Sequence, residues 1–288
     1  MTKKSVFALI LLMILTVGII WFGMDHQKTQ KAKLLRTNET TAVSSDKAAN
    51  NKTSSKAQKA DLSAQQEKFE NNREQLSVSD YLAYLSAKEE KAVVSFYGDF
   101  SESETWLSVV EKYITKQINS NIEVHQLAFP DYDSYRLLEE NTVTAVAETK
   151  PDVVFFQVPV YGDQVRDISL ADSGEYVAED YAAIKQALPE ALVVLVTPNP
   201  SSSRQGEFNS RTLDYTSYLA QAVKVAEENE FPLFDLHAAF QSEMESQEQD
   251  LSAVLKEDGR ALNDQGTDLY ASLFTEQLTE PIDTTSGR

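Results

Sequence analysis

The sequence predicts a three-layer α/β/α domain on a five-stranded parallel sheet, preceded by one transmembrane helix. Three observations carry this. From Leu76 onward strand-like and helix-like pieces alternate, the pattern of repeated βα units. The runs Val153-Val154-Phe155-Phe156 and Leu192-Val193-Val194-Leu195-Val196 are apolar on both faces, as strands covered by helices on either side must be. Ser5 to Gly23 is an apolar run without a charge, behind Lys3 and Lys4, long enough to cross a bilayer as a helix.

Residues 1–24 are therefore expected to be an uncleaved anchor. Ile19-Ile20-Trp21-Phe22-Gly23-Met24 follows where a cleaved signal peptide would show small residues. Residues 25–75 are rich in Lys, Ala, Ser, Thr, Asn and Gln and have almost no large apolar side chains after Leu35. Such a composition buries too little surface to fold, so a disordered polar linker is expected, with 60–76 as a fraying helix at most. Lys28, Lys31, Lys33 and Arg36 outnumber the lysines before the apolar run, so positive charge alone does not set the orientation. An anchor followed by a polar stalk is the layout of domains held outside a bacterial membrane. The expectation is a single-pass protein of the cell membrane with an extracytoplasmic C-terminal domain over 76–280 and a short tail, 281–288.

Charge is unevenly spread, with 12 Lys+Arg against 7 Asp+Glu over residues 1–75 but 14 against 38 over the rest. Such an acidic domain repels phosphate backbones, which argues against nucleic acid as a partner. There is no cysteine, which excludes disulfides, thiolate metal sites and a cysteine nucleophile.

The elements follow in order. A short helix near Asp80–Leu85 precedes strand Ala92–Tyr97, a Gly98-Asp99 turn and helix Glu104–Ile118, whose Trp106, Val109, Val110, Tyr113 and Ile114 recur at helical spacing. Strand Ile122–Gln126, helix Ser134–Val146, strand Val153–Val158, helix Val177–Ala187 and strand Leu192–Thr197 come next. Helix Thr212–Glu228, strand Leu233–Leu236 and helix Gln265–Leu278 complete the series. Pro151, Pro189 and Pro232 lie just before strands, where proline ends a helix without costing a ladder bond. In an open parallel sheet the turns at the carboxyl ends of the strands hold the ligands, so the turn after Tyr97 is the first place to look for a site.

Over about Lys91 to Leu278 these pieces resemble the SGNH or GDSL-type hydrolases, a flavodoxin-like fold. Gly98-Asp99 resembles the family's Gly-Asp-Ser block, with Trp106 as the aromatic of the first helix. Lys150-Pro151-Asp152-Val153-Val154-Phe155-Phe156 resembles the strand leading to the third block. Leu195-Val196-Thr197-Pro198-Asn199-Pro200 and Pro232-Leu233-Phe234-Asp235-Leu236 resemble the fourth and fifth strands. Asp258-Gly259-Arg260-Ala261-Leu262-Asn263-Asp264-Gln265-Gly266 resembles the block that carries the catalytic Asp and His. The resemblance implies hydrolysis or acyl transfer by a serine, yet Phe100 stands at the nucleophile, Ala261 at the histidine, Phe129 at the glycine and Tyr161 at the asparagine. Asp258 and Asp99 remain.

Two readings of the remaining chemistry stand side by side. Ser101 lies one residue beyond the expected nucleophile and His237 follows the fifth strand, so the two are candidates for a substitute pair. Ser101 and Ser103 equally suit the start of the first helix, with Glu104 favouring its dipole. Asp99, Asp131, Asp133, Asp163, Asp167, Asp258 and Asp264 all fall in expected loops, and two gathered carboxylates can serve glycoside hydrolysis or hold a hard cation. The rings at Phe100, Phe129 and Tyr161 either fill the former pocket or form a platform for a sugar ring or a partner's side chain. No cofactor is expected. Two functions follow: a catalytically inactive binding or scaffolding module in cell-envelope polysaccharide or peptidoglycan assembly, or an esterase or acyltransferase on envelope glycan acyl groups using other residues. The expected partners are the membrane, through one N-terminal helix, and an envelope glycan or envelope-assembly protein.

Overall fold

A computed structural model describes residues 62–101 and 103–288; the expected anchor and most of the expected linker lie outside the described residues. Among the described residues no helix is long and apolar enough to cross a membrane.

Five parallel strands make the sheet, in the order β3-β2-β4-β5-β6: β2 (Ala92–Gly98), β3 (Ile122–Ala128), β4 (Val153–Gln157), β5 (Leu192–Val196) and β6 (Leu233–Phe234). The three inner strands are buried along their whole length. Their side chains alternate between two apolar layers, as the pleat requires. Phe96, Phe155 and Val194 enter one layer; Tyr97, Phe156 and Leu195 enter the other. This is the three-layer α/β fold that the alternating pattern predicts.

The first layer is covered by α2 (Val78–Lys88), α3 (Thr105–Tyr113), α9 (Leu236–Ser246) and α10 (Asp264–Gln277), the second by α4 (Ser134–Glu139), α5 (Val143–Thr149), α6 (Val160–Val165), α7 (Leu170–Ala187) and α8 (Tyr215–Glu228). Fully buried Phe274 anchors the first layer. Its ring meets Phe155 edge-on at 5.0 Å and stacks on Trp106 at 5.8 Å, while Phe96 stacks on Phe155 at 5.2 Å. Side-chain caps set several helix starts: Asp133, Ser169, Asp214, Asp235 and Asn263 each accept a backbone N–H of the first turn.

Several elements differ from expectation for identifiable reasons. The expected helix Ser134–Val146 is two helices, because Asn141 takes a left-handed conformation, φ 49°, between them. The expected helix Glu104–Ile118 ends its α turns at Tyr113 and continues as a π turn, Ile114–Ile118. Helix α7 begins seven residues before the expected Val177, its first turns masked by Asp172, Ser173 and Gly174. The expected strand Leu233–Leu236 stops at Phe234, and α9 begins at Leu236, unforeseen because only Leu236, His237, Phe240 and Met244 face inward.

The borders of the folded part differ as well. Residues 62–71, placed in the expected linker, are helical (α1), and Phe69 packs on Tyr81 and Tyr84. The expected tail is held down: β7 (Pro281–Ile282) pairs antiparallel with β1 (Leu76–Ser77), and Arg288 reaches Glu89 and buried Asp152. Asp152 also accepts the Val93 N–H at 2.7 Å, which ties the chain terminus to the central strand. Two widely spaced apolar residues, Leu62 and Phe69, in a polar stretch, and one arginine at the end, give sequence periodicity little to detect.

Candidate functional site

The central strand β2 ends on Gly98, φ +127°, where a Cβ would lie 2.1 Å from the Gln157 carbonyl oxygen. Only glycine suits that backbone, and the tight approach sends the chain out of the sheet edge at Asp99. Asp99 is 6% exposed. Its carboxylate accepts the Asp131 N–H at 2.9 Å, and both its oxygens lie 3.2 Å from one Arg260 nitrogen. Its own carbonyl accepts from Gln157 Nε2 at 2.6 Å.

Arg260 is the hub. Its other terminal nitrogen pairs with Asp131, and its guanidinium carbon lies 3.6 Å from the centroid of the Tyr161 ring, a cation–π arrangement. The loops after β2 and β3 and the start of α6 are thus tied to the segment before α10. That segment is shaped by the Lys256–Gly259 turn. Gly259 has φ +66°, and its carbonyl accepts from the backbone N–H groups of Ser202 and Ser203 and from Ser201 Oγ. Asp258 accepts the N–H groups of Arg260 and Ala261, both at 2.9 Å, and these two bonds hold its carboxyl below the usual range.

These residues line a cavity of about 370 Å³ at the carboxyl edge of the sheet. Asp99, Phe100, Ser101, Tyr161, Asp258 and Ala261 all border it, as do Asp131 and Asp264. Burial pushes the Asp99 carboxyl up to about 6, although Arg260 beside it pulls the other way. Glu104 is raised too, chiefly by burial, while it accepts from the Trp106 indole N–H and, at 3.2 Å, from the Ser101 N–H. Among the described residues no group of three or more His, Cys, Asp or Glu is arranged to hold a metal ion.

The candidate pair Ser101–His237 is not brought together. Half-buried Ser101 shares a 2.8 Å hydroxyl–hydroxyl bond with Ser103. His237 is 3% exposed in the first turn of α9, outside the cavity wall, and its Nδ1 has no hydrogen-bond partner. Burial lowers its pKa to about 4, so it is neutral near pH 7. The reason is the turn at Asp235, which caps α9 and directs the histidine toward Tyr215, ring centroids 5.7 Å apart, beneath the cavity.

The expected filling of the pocket by rings is also corrected. Phe100 is 2% exposed and meets Trp106 edge-on at 6.5 Å within the core. Phe129 packs on Tyr97 and Tyr132 in the second layer and does not border the cavity. Tyr161 lies beneath Arg260, so the cavity stays open. Of the aspartates expected in loops, Asp133 caps α4 and meets Arg166, Asp163 lies instead within α6, buried between Ser134 and Ser173, and Asp167 bonds Ser210.

Sequence reasoning did not single out Arg260, Gln157 or Glu104 as site residues. Arg260 carried a signal: it is a basic side chain in an acidic domain, immediately before Ala261. Gln157, a polar residue closing an apolar strand, carried another. Glu104 suited a helix start and so was explained by the dipole, whereas its carboxylate points to the Trp106 indole.

Solved structures with a similar fold include acetyl xylan esterases and an alpha/beta hydrolase. AlAXEase, an acetyl xylan esterase, is similar with a TM-score of 0.50 and 21% identity over 64% of this chain and 98% of that one. Axe2, an acetylxylan esterase from Geobacillus stearothermophilus, gives 0.51 and 16% over 68% and 96%. LAE5, an alpha/beta hydrolase enzyme from the metagenome of Lake Arreo, Spain, gives 0.50 and 14% over 65% and 94%. No family model matches the sequence, and no curated protein is similar to it. The chain has a hydrolase-like three-layer α/β fold of the kind these structures share.

Proposed function

We propose that the domain is a glycan-binding module on a hydrolase-like fold, catalytically inactive, and held outside a bacterial membrane by residues 1–24 to serve envelope polysaccharide or peptidoglycan assembly. The observation that carries this reading is the position of Arg260, clamped between Asp99, Asp131 and Tyr161 in the wall of an open cavity. Serine acyl transfer needs a hydroxyl whose proton a base removes, and donors for the oxyanion. Phe100 and Ala261 offer neither. The Ser101 hydroxyl meets the hydroxyl and the backbone N–H of Ser103 and no base, and His237 is buried outside the cavity.

A cavity of this size, lined by carboxylates, Arg260, Lys256 and the half-buried Tyr161, has the make-up of a site for a hydroxyl-rich ligand such as a sugar. The test is binding of the full-length protein, in mild detergent, to an array of envelope glycan fragments. Retention that is lost in Tyr161→Ala supports the reading; no retention on any fragment opposes it. Protease treatment of intact cells tests the topology: cleavage within residues 76–280 is expected, and a protected domain would reverse the assignment.

The second reading, an esterase or acyltransferase on glycan acyl groups, is favoured by the acetyl xylan esterases among the similar structures and by Ser101 and Ser103 on the cavity rim.

A further inference from the structure

We infer that the cavity selects a hydroxyl-rich ligand carrying a free primary ammonium, a non-acetylated amino sugar, with the Glu104 carboxylate as its counter-ion. This rests on the glycan reading above and narrows it.

Glu104 differs from the other acids of the cavity. Asp99 and Asp131 share the charge of Arg260. Asp258 is exposed and satisfied by two backbone N–H groups. Asp264 is exposed at the first position of α10, where the helix dipole favours it. Glu104 is half-buried and is met by one indole N–H and one backbone N–H. Among the described residues no cation forms an ion pair with it, and Lys256 and Arg260 act on it only as nearby charges.

A second, independent observation points to a missing donor. Gln157, 6% exposed, borders the same cavity with its Nε2 fixed on the Asp99 carbonyl, and its Oε1 is buried without a hydrogen-bond partner. Buried acceptors are normally paired, so an orphaned one in a cavity wall marks where a ligand's donor belongs. Glu104 therefore lacks a paired cation, and the Gln157 Oε1 beside the same cavity lacks an N–H or O–H donor. A neutral sugar supplies only the second; a carboxylate or phosphate would meet five acidic side chains against Arg260 and Lys256. A protonated amine on a sugar ring supplies both, and its charge–carboxylate bond is the stronger kind.

The experiment compares a β-1,4-linked glucosamine tetramer with its fully N-acetylated counterpart by titration calorimetry on the full-length protein in mild detergent at pH 6. The free amine is expected to bind at least about tenfold tighter, with a preference that weakens as salt is added. Glu104→Gln keeps an acceptor for Trp106 but removes the charge, and is expected to make the two affinities equal. Its unfolding transition is measured alongside. Should the variant not fold, addition of methylammonium as a competitor on the unaltered protein is expected to displace the free-amine sugar alone. Equal binding of the two sugars overturns this inference and leaves the glycan reading standing; binding of neither overturns both. A preference kept in folded Glu104→Gln, or displacement of both sugars by methylammonium, assigns the selectivity to the domain's general negative charge and overturns the role of Glu104.

Discussion

Arg260, from the turn before the last helix, places one guanidinium nitrogen 3.2 Å from both carboxylate oxygens of Asp99, at the end of the central strand. The aspartate is 6% exposed, so the pair joins the least solvated acid of the cavity to the segment that closes it. Removing one partner of a buried pair costs more than the pair itself contributes, because the other charge is left without compensation. Arg260→Met should therefore destabilise the domain by about 2–4 kcal/mol near pH 7, and Asp99→Asn added to it should recover part of that loss. Urea unfolding of the two single variants and the double variant measures the coupling.

His237 gives an acid-dependent contribution of known sign. Its folded pKa, about 4, lies below the ordinary 6.5, so its contribution is present above 6.5 and is lost as pH falls toward 4. His237→Phe should gain about 2–3 kcal/mol relative to the unaltered protein when both are moved from pH 7 to pH 4.5. Chemical denaturation at the two pH values checks it.

Asp99 has the opposite sign. Burial raises its carboxyl to about 6 in the folded state, so its contribution is complete below the ordinary 3.8 and is lost as pH rises through 6. Acidification from pH 7 to 4.5 should stabilise the unaltered protein by about 2 kcal/mol relative to Asp99→Asn, which has no proton to take up.

Restoring the two residues that the SGNH-type resemblance lacks should not restore chemistry. In Phe100→Ser with Ala261→His, only Oδ2 of Asp258 is left for the new imidazole, since Oδ1 already accepts two backbone N–H groups. Tyr161 would still lie under Arg260 on the side where an oxyanion needs donors. Loss of the buried Phe100 ring also costs roughly 3 kcal/mol or more. Hydrolysis of p-nitrophenyl acetate should stay at the level of the unaltered protein.

Much of the fold was legible because the sheet is made of short, two-sided apolar runs between helical pieces. Val153–Phe156 and Leu192–Val196 announce themselves as inner strands, and prolines mark their ends. Helix α9 was not legible, since polar residues surround its four inward positions, nor were Phe69 and Arg288, whose contacts depend on chain folding over long separations. The site was half legible. Gly98-Asp99 and the Asp258–Gly266 segment pointed to the right edge of the sheet. The hub was missed because an ion pair between Asp99 and Arg260 spans 161 residues and leaves no local pattern. Ser101 and His237 illustrate the converse: both lie near the carboxyl edge by chain order, but a capped helix start turns the histidine inward.

Whether the cavity holds an activated serine is read directly by fluorophosphonate labelling of the full-length protein, mapped by mass spectrometry. With an active acetyl xylan esterase labelled alongside, the account predicts no adduct on this protein. A stoichiometric adduct on Ser101 or Ser103 would contradict it and establish the esterase or acyltransferase reading in its place.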